Sequence, residues 1–378
     1  MHRGICTKNL CSIGLLIAAL SWVNALPAEE PADRDHPIVE LFPQDSFLHG
    51  FQISPPRIAT EIPLERFTRL EPLLPPAAEP PFWTLSQWHC VESLKDEDRL
   101  PANGADVKEA VWQNDYLCLR VAINASGDQE LQMTVDSLAI YNHAPISYEK
   151  MCVIRPHFLL GHNFYPDRDG VRRYGATILD DMPQDAGSVP DLNSFDSLTL
   201  SMCLCLQENK DLRHAYLGDR PENRRRHYNR NPFQFWFRIY CRDRTSVSYG
   251  QAFWLGCRIF DSEYPYASVI PNQRDQIESD AHRYAYKLCN LSVFGEEYEE
   301  RIDAFLAGKD TPIVIDVLQA TRTALAAIQD QKGAFGDVPA TLAGLTISSF
   351  NIGWEPASPF RGTMGIKDLS LQGMTATH

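Results

Sequence analysis

The stretch NPFQFWFRIYCRDR, from Asn231 to Arg244, decides the fold class because its apolar and polar residues alternate with a period of two. Successive side chains of a strand point to opposite faces of a sheet, so the stretch predicts a strand with two distinct faces. One face, typical of a buried core, carries Phe233, Phe235, Phe237, Ile239 and Cys241. The other face carries Gln234, Trp236, Arg238, Tyr240 and Arg242. What this second face contacts is the central question for function.

Several other segments alternate in the same way, among them YLCLRVAI (116–123) and SLTLSMCLCLQ (197–207). Many short strands with turn-rich connections predict a mainly β protein, an antiparallel β-sandwich of jelly-roll type. One helix is predicted from about residue 312 to residue 331. Pro312 suits its first turn, apolar residues recur on one face, and Gly333 follows its end.

The composition changes along the chain and predicts three regions. Residues 1–25 have the pattern of a secretory signal peptide, with Arg3 and Lys8 before the apolar segment SIGLLIAAL and a small-residue cleavage site ending at Ala25. Residues 26–80 are rich in proline and should be extended or wrap around the body. Residues 81–378 are expected to form a single β-sandwich domain. No later segment is long and apolar enough to cross a membrane, so the sequence predicts a secreted or periplasmic protein.

The excess of acidic over basic residues disfavours some classes of binding partner. The chain has 49 acidic and 35 basic residues and a formal net charge of −14. Such a surface repels nucleic acid and anionic lipid over long range, so neither is expected as a partner. Nothing in the sequence specifies an oligomeric state. Eight cysteines follow the signal, an even number that in an exported protein permits disulfides. Because most of them lie in apolar strand-like runs, some are expected to pair and others to be buried thiols.

No cofactor and no metal site are predicted. The sequence has no nucleophile elbow, phosphate loop, dinucleotide fingerprint or Cys-x-x-Cys pair. Cys203 and Cys205 are poorly spaced for zinc on a strand. His157 and His162 are five residues apart and lack the glutamate of the zinc-protease pattern.

Four segments carry a family resemblance: PFWTLSQW, RPHFLLGHNF, FWLGCRIFDSEY and FNIGWEPASPFRGTMGIKDLSL. In that order they resemble segments of secreted bacterial β-sandwich proteins of jelly-roll type that have no assigned activity. The resemblance covers most of residues 81–372. It implies the fold and the compartment, and it implies no catalytic residue.

The first functional hypothesis is binding of an extracellular polysaccharide or oligosaccharide by the second face of the 233–241 strand. Trp236 and Tyr240 would stack on sugar rings, while Gln234 and Arg238 would bind hydroxyls or carboxylates. A basic loop before the strand, DRPENRRRHYNR (219–230), would draw an anionic glycan to it. In the alternative, the loop is only solvated and other parts of the chain cover Trp236 and Tyr240.

Two further hypotheses stay open. The second is a polysaccharide lyase that acts by β-elimination on a uronic-acid polymer. Gln234 and Arg238 would neutralise the sugar carboxylate, and Tyr240 or His157 would transfer the proton. A histidine close to Tyr240 would favour this enzyme, and an aromatic row without one would favour binding. The third hypothesis is a structural or envelope protein without a small ligand.

Overall fold

The computed structural model describes residues 37–43, 46–53, 61–63, 68–71, 73, 81–90, 92–101, 108–124, 127–139, 156–164, 171–173, 191–213, 215, 231–246, 248–262, 275–280, 283–330 and 341–375. The expected signal peptide at 1–25 and the basic loop at 219–230 lie outside these residues. The region from Pro37 to His378 forms one compact unit.

Alternating apolar residues produce most of the strands in the described part of the chain. They are β1 (Ile38–Glu40), β2 (Phe51–Ile53), β3 (Glu61–Pro63), β4 (Thr68–Leu70), β5 (Trp83–Ser86), β6 (Lys108–Gln113), β7 (Leu117–Ile123), β8 (Gln129–Asp136), β9 (Phe158–Asn163), β10 (Val171–Arg173), β11 (Phe195–Asp211), β12 (Phe233–Cys241), β13 (Ala252–Phe260), β14 (Gln276–Asp280), β15 (Arg283–Lys287), β16 (Thr311–Asp316), β17 (Leu345–Trp354) and β18 (Phe360–Thr375). The α-helices that lie wholly within the described residues include α1 (Asn290–Phe294), α2 (Tyr298–Leu306) and α3 (Val317–Asp330).

The strands form two large sheets, which confirms the predicted mainly β sandwich. A seven-stranded sheet has the order β16-β11-β18-β8-β7-β6, with β1 paired to β18. A nine-stranded sheet has the order β14-β15-β13-β12-β17-β9-β5-β2-β4. The pairs are antiparallel except β13 with β15 and β2 with β5. β3 and β10 form a separate antiparallel pair.

The helix expected from about residue 312 to residue 331 begins later than predicted. The chain from Thr311 to Asp316 is β16, an edge strand that pairs with β11, and only then does α3 begin. Ile313 and Ile315 are buried while Val314 is 62% exposed, which is a strand period rather than a helical one. Pro312 is tolerated because an edge strand does not need every backbone N–H.

Helices other than the predicted one are present. α1 and α2 follow β15, and α2 buries Ile302 and Phe305. α3 buries one face through Val317, Ala324 and Ile328 and contacts β11 and β13. No helix in the described ranges has the length and apolar character needed to span a bilayer.

Parts of the proline-rich segment belong to the sheets. β2 pairs with β5, and β4 then extends the nine-stranded sheet by pairing with β2. β1 pairs with β18 of the other sheet. The described strands of this segment therefore pair with strands of both large sheets.

The predicted inner face of β12 is the centre of the core. Phe233, Phe235, Phe237, Ile239 and Cys241 are each no more than 2% exposed. β12 lies between β13 and β17, and Phe235 is directly opposite Cys257 and Ile352 in these neighbours. The apolar stripe is therefore buried by strands distant in sequence as well as by the facing sheet.

Trp354 joins the two sheets. It ends β17 in the nine-stranded sheet, is fully buried, and its indole Nε1–H donates to the backbone carbonyl of Met133 in the other sheet at 2.9 Å. Its ring packs against Phe233 and Phe260, at centroid distances of 5.1 and 5.9 Å, and against Phe360 at 5.3 Å. One side chain thus supplies both apolar contact and a hydrogen bond across the sandwich.

We expect Trp354→Ala to lower the free energy of unfolding by about 3–5 kcal/mol, because it removes a large buried ring and leaves a cavity. Trp354→Phe should cost less, since it keeps most of the packing and loses the hydrogen bond to Met133. Chemical denaturation followed by circular dichroism measures both changes. Gln132→Ala, which alters a partly exposed amide on β8, is the control and should stay within about 0.5 kcal/mol of wild type. A Trp354→Ala value close to that of Gln132→Ala would contradict this account of the sandwich.

Six cysteines in the described strands and turns are thiols that form no disulfide, and four of them, Cys90, Cys205, Cys241 and Cys257, are buried. Cys90, Cys118, Cys203, Cys205, Cys241 and Cys257 form no disulfide, so the expectation that some cysteines pair is not met by these six. Cys152 lies outside the described residues. Burial raises the pKa of the Cys90 thiol to about 12, and burial also raises the pKa of Cys257. Both side chains act as small apolar groups of the core.

These raised pKa values predict a loss of stability at alkaline pH. An unfolded thiol ionises near its ordinary pKa of 9.0, whereas folded Cys90 stays protonated up to about 12. The unfolded state therefore releases its proton first. The contribution is fully present below about pH 9 and is lost as pH rises, by at most about 1.4 kcal/mol per unit. Denaturation curves at about pH 8 and about pH 10 should show a smaller pH effect for Cys90→Ala than for wild type. Parallel pH profiles for the two proteins would contradict the prediction.

Candidate functional site

The face of the nine-stranded sheet that points away from the core is here called the outer face. On β12 it carries Gln234, Trp236, Arg238 and Tyr240, which alternate with the buried stripe. Register with the neighbouring strands places further residues on it: Gln52, Arg69, Thr84, Gly161, Trp254, Gly256, Arg258, Lys287, Ser349, Asn351 and Gly353. The predicted second face is thus the middle strand of a broad, largely polar surface.

The four candidate residues of β12 differ in exposure. Trp236 and Arg238 are partly exposed. Gln234 is only 4% exposed and Tyr240 only 1% exposed. A ligand on this face can reach the indole and the guanidinium directly, whereas the amide and the phenol belong to the floor beneath it.

Tyr240 is poorly suited to accept a proton. Burial, with smaller effects from Tyr249 and Cys241, raises the pKa of the Tyr240 phenol to about 12. A catalytic base must be deprotonated at the working pH, and a phenol with this pKa is protonated near neutrality. Tyr240 can therefore donate a hydrogen bond but cannot serve as the base of an elimination.

A glycine makes room for the indole of Trp236. Gly256 on β13 lies directly opposite Trp236. A Cβ at Gly256 would lie 2.7 Å from Cε3 of the indole and 2.1 Å from the carbonyl oxygen of Phe235, both far inside normal contact distance. The ring therefore lies across the bare backbone of β13. This leaves a flat aromatic surface that is partly open at the centre of the face.

Polar groups continue from Trp236 across the strands on its other side. Asn351 lies opposite Trp236, followed by Gly161, Thr84 and Gln52 on successive strands. Oδ1 of Asn351 and Oε1 of Gln52 are buried, and neither accepts a hydrogen bond from the residues that the structure describes. Buried carbonyl oxygens are normally satisfied, so these two acceptors are suited to donors such as ligand hydroxyls.

His157 lies at one end of the same face and pairs with Glu355. Backbone hydrogen bonds continue beyond the ends of the paired strands at this end of the sheet. The His157 N–H donates to Trp88 O at 2.8 Å, and the Glu355 N–H donates to Pro232 O at 3.0 Å. His157 Nε2 is 3.6 Å from Glu355 Oε1, and both side chains are less than one-fifth exposed. His89 lies nearby, with its ring centroid 5.8 Å from that of His157.

His89 adds an unusual backbone to this cluster. Its φ is 59°, in the left-handed region that a residue with a side chain rarely adopts. Burial, and then the proximity of His157, lowers the pKa of His89. Strained residues persist where the surrounding structure enforces them, and they concentrate at functional sites.

His157 and Tyr240 are not brought together. His157 precedes Phe158, which pairs with Trp354, whereas Tyr240 pairs with Thr346 eight residues away along β17. Eight strand residues span about 26 Å. Trp236 pairs with Asn351, so Glu355 and its partner His157 lie about 13 Å along the strands from the indole. The described part of the chain places no group of three or more His, Cys, Asp or Glu side chains where they would bind a metal ion.

Sequence reasoning named Trp236, Arg238 and His157 as candidates and did not bring the residues around them into the candidate site. Glu355, Asn351, Gln52 and Arg258 come from other strands, and only the pairing register brings them to the same face. The only local signal for Asn351 and Glu355 was alternation in FNIGWE. Every second residue of a strand points to the same face, so Asn351, Gly353 and Glu355 are expected on one side.

Comparison with known proteins gives a remote similarity at the level of structure. No family model matches the chain, and no curated protein matches it. Solved structures with a related arrangement include an endoglucanase, Cel12A, from Rhodothermus marinus (8% identity, 71% of this chain and 92% of that chain, TM-score 0.29). A family 12 xyloglucanase from Bacillus licheniformis matches at 7% identity over 74% and 99% of the two chains, with a TM-score of 0.30. The xyloglucanase domain of NopAA from Sinorhizobium fredii, solved with cellobiose, matches at 12% identity over 73% and 95%, with a TM-score of 0.27. The β-sandwich fold is defined by the strands and pairings described above.

We expect Gly256→Ala to destabilise the protein by about 1–3 kcal/mol, because the new methyl group would displace the indole of Trp236 and the backbone of β12. Gly161→Ala is the matched control on the same face, since a Cβ there meets its nearest atom, the Phe350 carbonyl oxygen, at an ordinary 3.4 Å. Chemical denaturation of both variants measures the difference. Equal stabilities would show that Gly256 does not hold the indole in place.

Proposed function

We propose that the protein binds an extracellular polysaccharide or oligosaccharide on the outer face of its nine-stranded sheet. The observation that carries the proposal is the partly exposed indole of Trp236, lying across Gly256 with polar side chains beside it. The leader expected at residues 1–25 would export the protein to meet such a ligand.

The chemistry of the face suits a sugar. An aromatic ring offers a flat apolar surface against which the C–H groups of a pyranose can pack. Asn351 and Gln52 supply acceptor oxygens without a hydrogen-bond partner in the described ranges, and Arg238 supplies donors. Binding sites commonly combine such an apolar surface with a few oriented polar groups. Gln234 and Tyr240 support the floor of the site because both are buried.

Trp236→Ala is expected to weaken glycan binding by at least about tenfold, because truncation of a central tryptophan removes the main contact surface. Residues 26–378 would first be screened on a glycan array, and affinities for the best glycan would then be measured by isothermal titration calorimetry. Trp236→Phe should retain part of the affinity, since a smaller aromatic face remains.

Arg301→Ala is the control, because Arg301 lies on α2 and forms an ion pair with Glu297 rather than facing the site. Its affinity should equal that of wild type. If the wild-type protein binds no glycan, or if Trp236→Ala binds as tightly as wild type, the structural or envelope role without a small ligand is the better description.

A second candidate function, β-elimination on a uronic-acid polymer, is favoured by the pairing of His157 with Glu355. The His157 imidazole would take the proton from C5 of the uronate. The electron pair would form the C4–C5 double bond as the C4–O bond breaks, and water would protonate the leaving oxygen. Glu355 would orient the imidazole and stabilise its charged form. Tyr240 has no part in this version, since it lies about 26 Å away along the strands.

The lyase version predicts that uronate polymers yield an unsaturated product, detected by its ultraviolet absorbance. Glu355→Gln should lower the turnover number with little change in the Michaelis constant, whereas His157→Gln should abolish product formation. Glu297→Gln, at the residue that immediately precedes α2, serves as the matched control. Glycan binding without any unsaturated product would leave the binding function alone.

A further inference from the structure

We propose that the glycan recognised by the outer face is acidic and carries carboxylate groups that the arginines of the face bind. This inference rests on the function proposed above and specifies the chemical class of its ligand. It comes from the distribution of charge on the face, from the bonding of Arg258 and from the position of the cations relative to Trp236.

The outer face is positively charged although the chain is acidic. Among the side chains that the structure describes on this face, four are cationic, those of Arg69, Arg238, Arg258 and Lys287. No residue of β2, β4, β5, β9, β12, β13, β15 or β17 is acidic, and the acidic residues of the sheet, Glu278 and Asp280, belong to the edge strand β14. Glu71 and Glu355 follow the ends of β4 and β17, and Glu355 pairs with His157. On a protein of net charge −14, this local excess of cations attracts anions, whereas the acidic remainder of the surface repels them.

Arg258 is the most informative of the four cations. Its neighbours Cys257 and Ile259 are buried in the core, so its side chain takes the opposite face, beside Gln234. Nε of Arg258 is buried and donates no hydrogen bond within the described part of the chain. A buried guanidinium donor without a partner is costly, and a carboxylate would accept from two of its nitrogens at once.

The cations flank the aromatic platform. Arg238 is two residues from Trp236 on β12, and Arg258 lies opposite Gln234, two residues from Trp236 in the other direction. The two guanidinium groups therefore start from backbone positions about 13 Å apart along the strand direction, with the indole between them. A sugar stacked on Trp236 would have a cation on each side. This arrangement suits a polymer in which acidic sugars repeat.

The test compares two ligands that share one backbone: an oligogalacturonate and the same oligomer with its carboxylates methyl-esterified. We expect the full-length mature protein to bind the acid at least about tenfold more tightly than the ester in calorimetry at low salt. The preference should shrink as salt is added, because screening weakens the attraction. Arg258→Gln should reduce affinity for the acid about tenfold and leave affinity for the ester within about twofold of wild type.

Arg301→Gln on α2 is the matched control and should not change either affinity. Arg238→Gln is the second test variant if Arg258→Gln does not fold, as judged by its thermal unfolding. If the ester binds as tightly as the acid through Trp236, the inference is overturned while the proposed glycan binding stands. If neither oligomer nor any array glycan binds, glycan binding itself fails. If acidic glycans bind equally to wild type and to both arginine variants, the arginines are not the recognition groups.

Discussion

The contact of Trp354 with the opposite sheet is the constraint on which the remaining architecture depends. Its indole N–H reaches Met133 in the seven-stranded sheet, and its ring is enclosed by Phe233, Phe260 and Phe360. A buried indole needs a hydrogen-bond acceptor, so the two sheets can stack only where that carbonyl is available. Because β17 pairs with β12, the same contact determines which side of β12 faces inward.

The composition of the outer face follows from which side of β12 faces the core. Once Phe233, Phe235 and Phe237 are inside, the period of two places Trp236 and Arg238 on the opposite side. The sequence was sufficient for this step, because alternation within one strand is a local property. It was not sufficient to predict exposure. Gln234 and Tyr240 share the face and are nevertheless buried, and alternation within one strand carries no information about that burial.

Contacts between segments that are distant in sequence also explain the other differences between expectation and structure. The chain around Pro312 has apolar residues compatible with a helix or a strand, and pairing with β11 decides for a strand up to Asp316. Proline suggested that residues 26–80 wrap around the body, yet β2 and β4 extend the nine-stranded sheet and bring Gln52 and Arg69 to the outer face. Both the strand up to Asp316 and the extension of the nine-stranded sheet by β2 and β4 depend on pairing between distant segments, which a local sequence pattern does not reveal.

The charges on the outer face are difficult to explain by folding alone. The buried Nε of Arg258 has no acceptor among the described residues. Desolvating cations is unfavourable, and replacing buried charged groups with apolar ones is often neutral or stabilising. Gly256 has no side chain to pack, and its bare backbone leaves the space that the indole of Trp236 occupies. Several features that weaken the fold therefore meet on one surface. Such local costs concentrate where a protein binds a ligand, because the ligand supplies the interactions that the folded chain lacks.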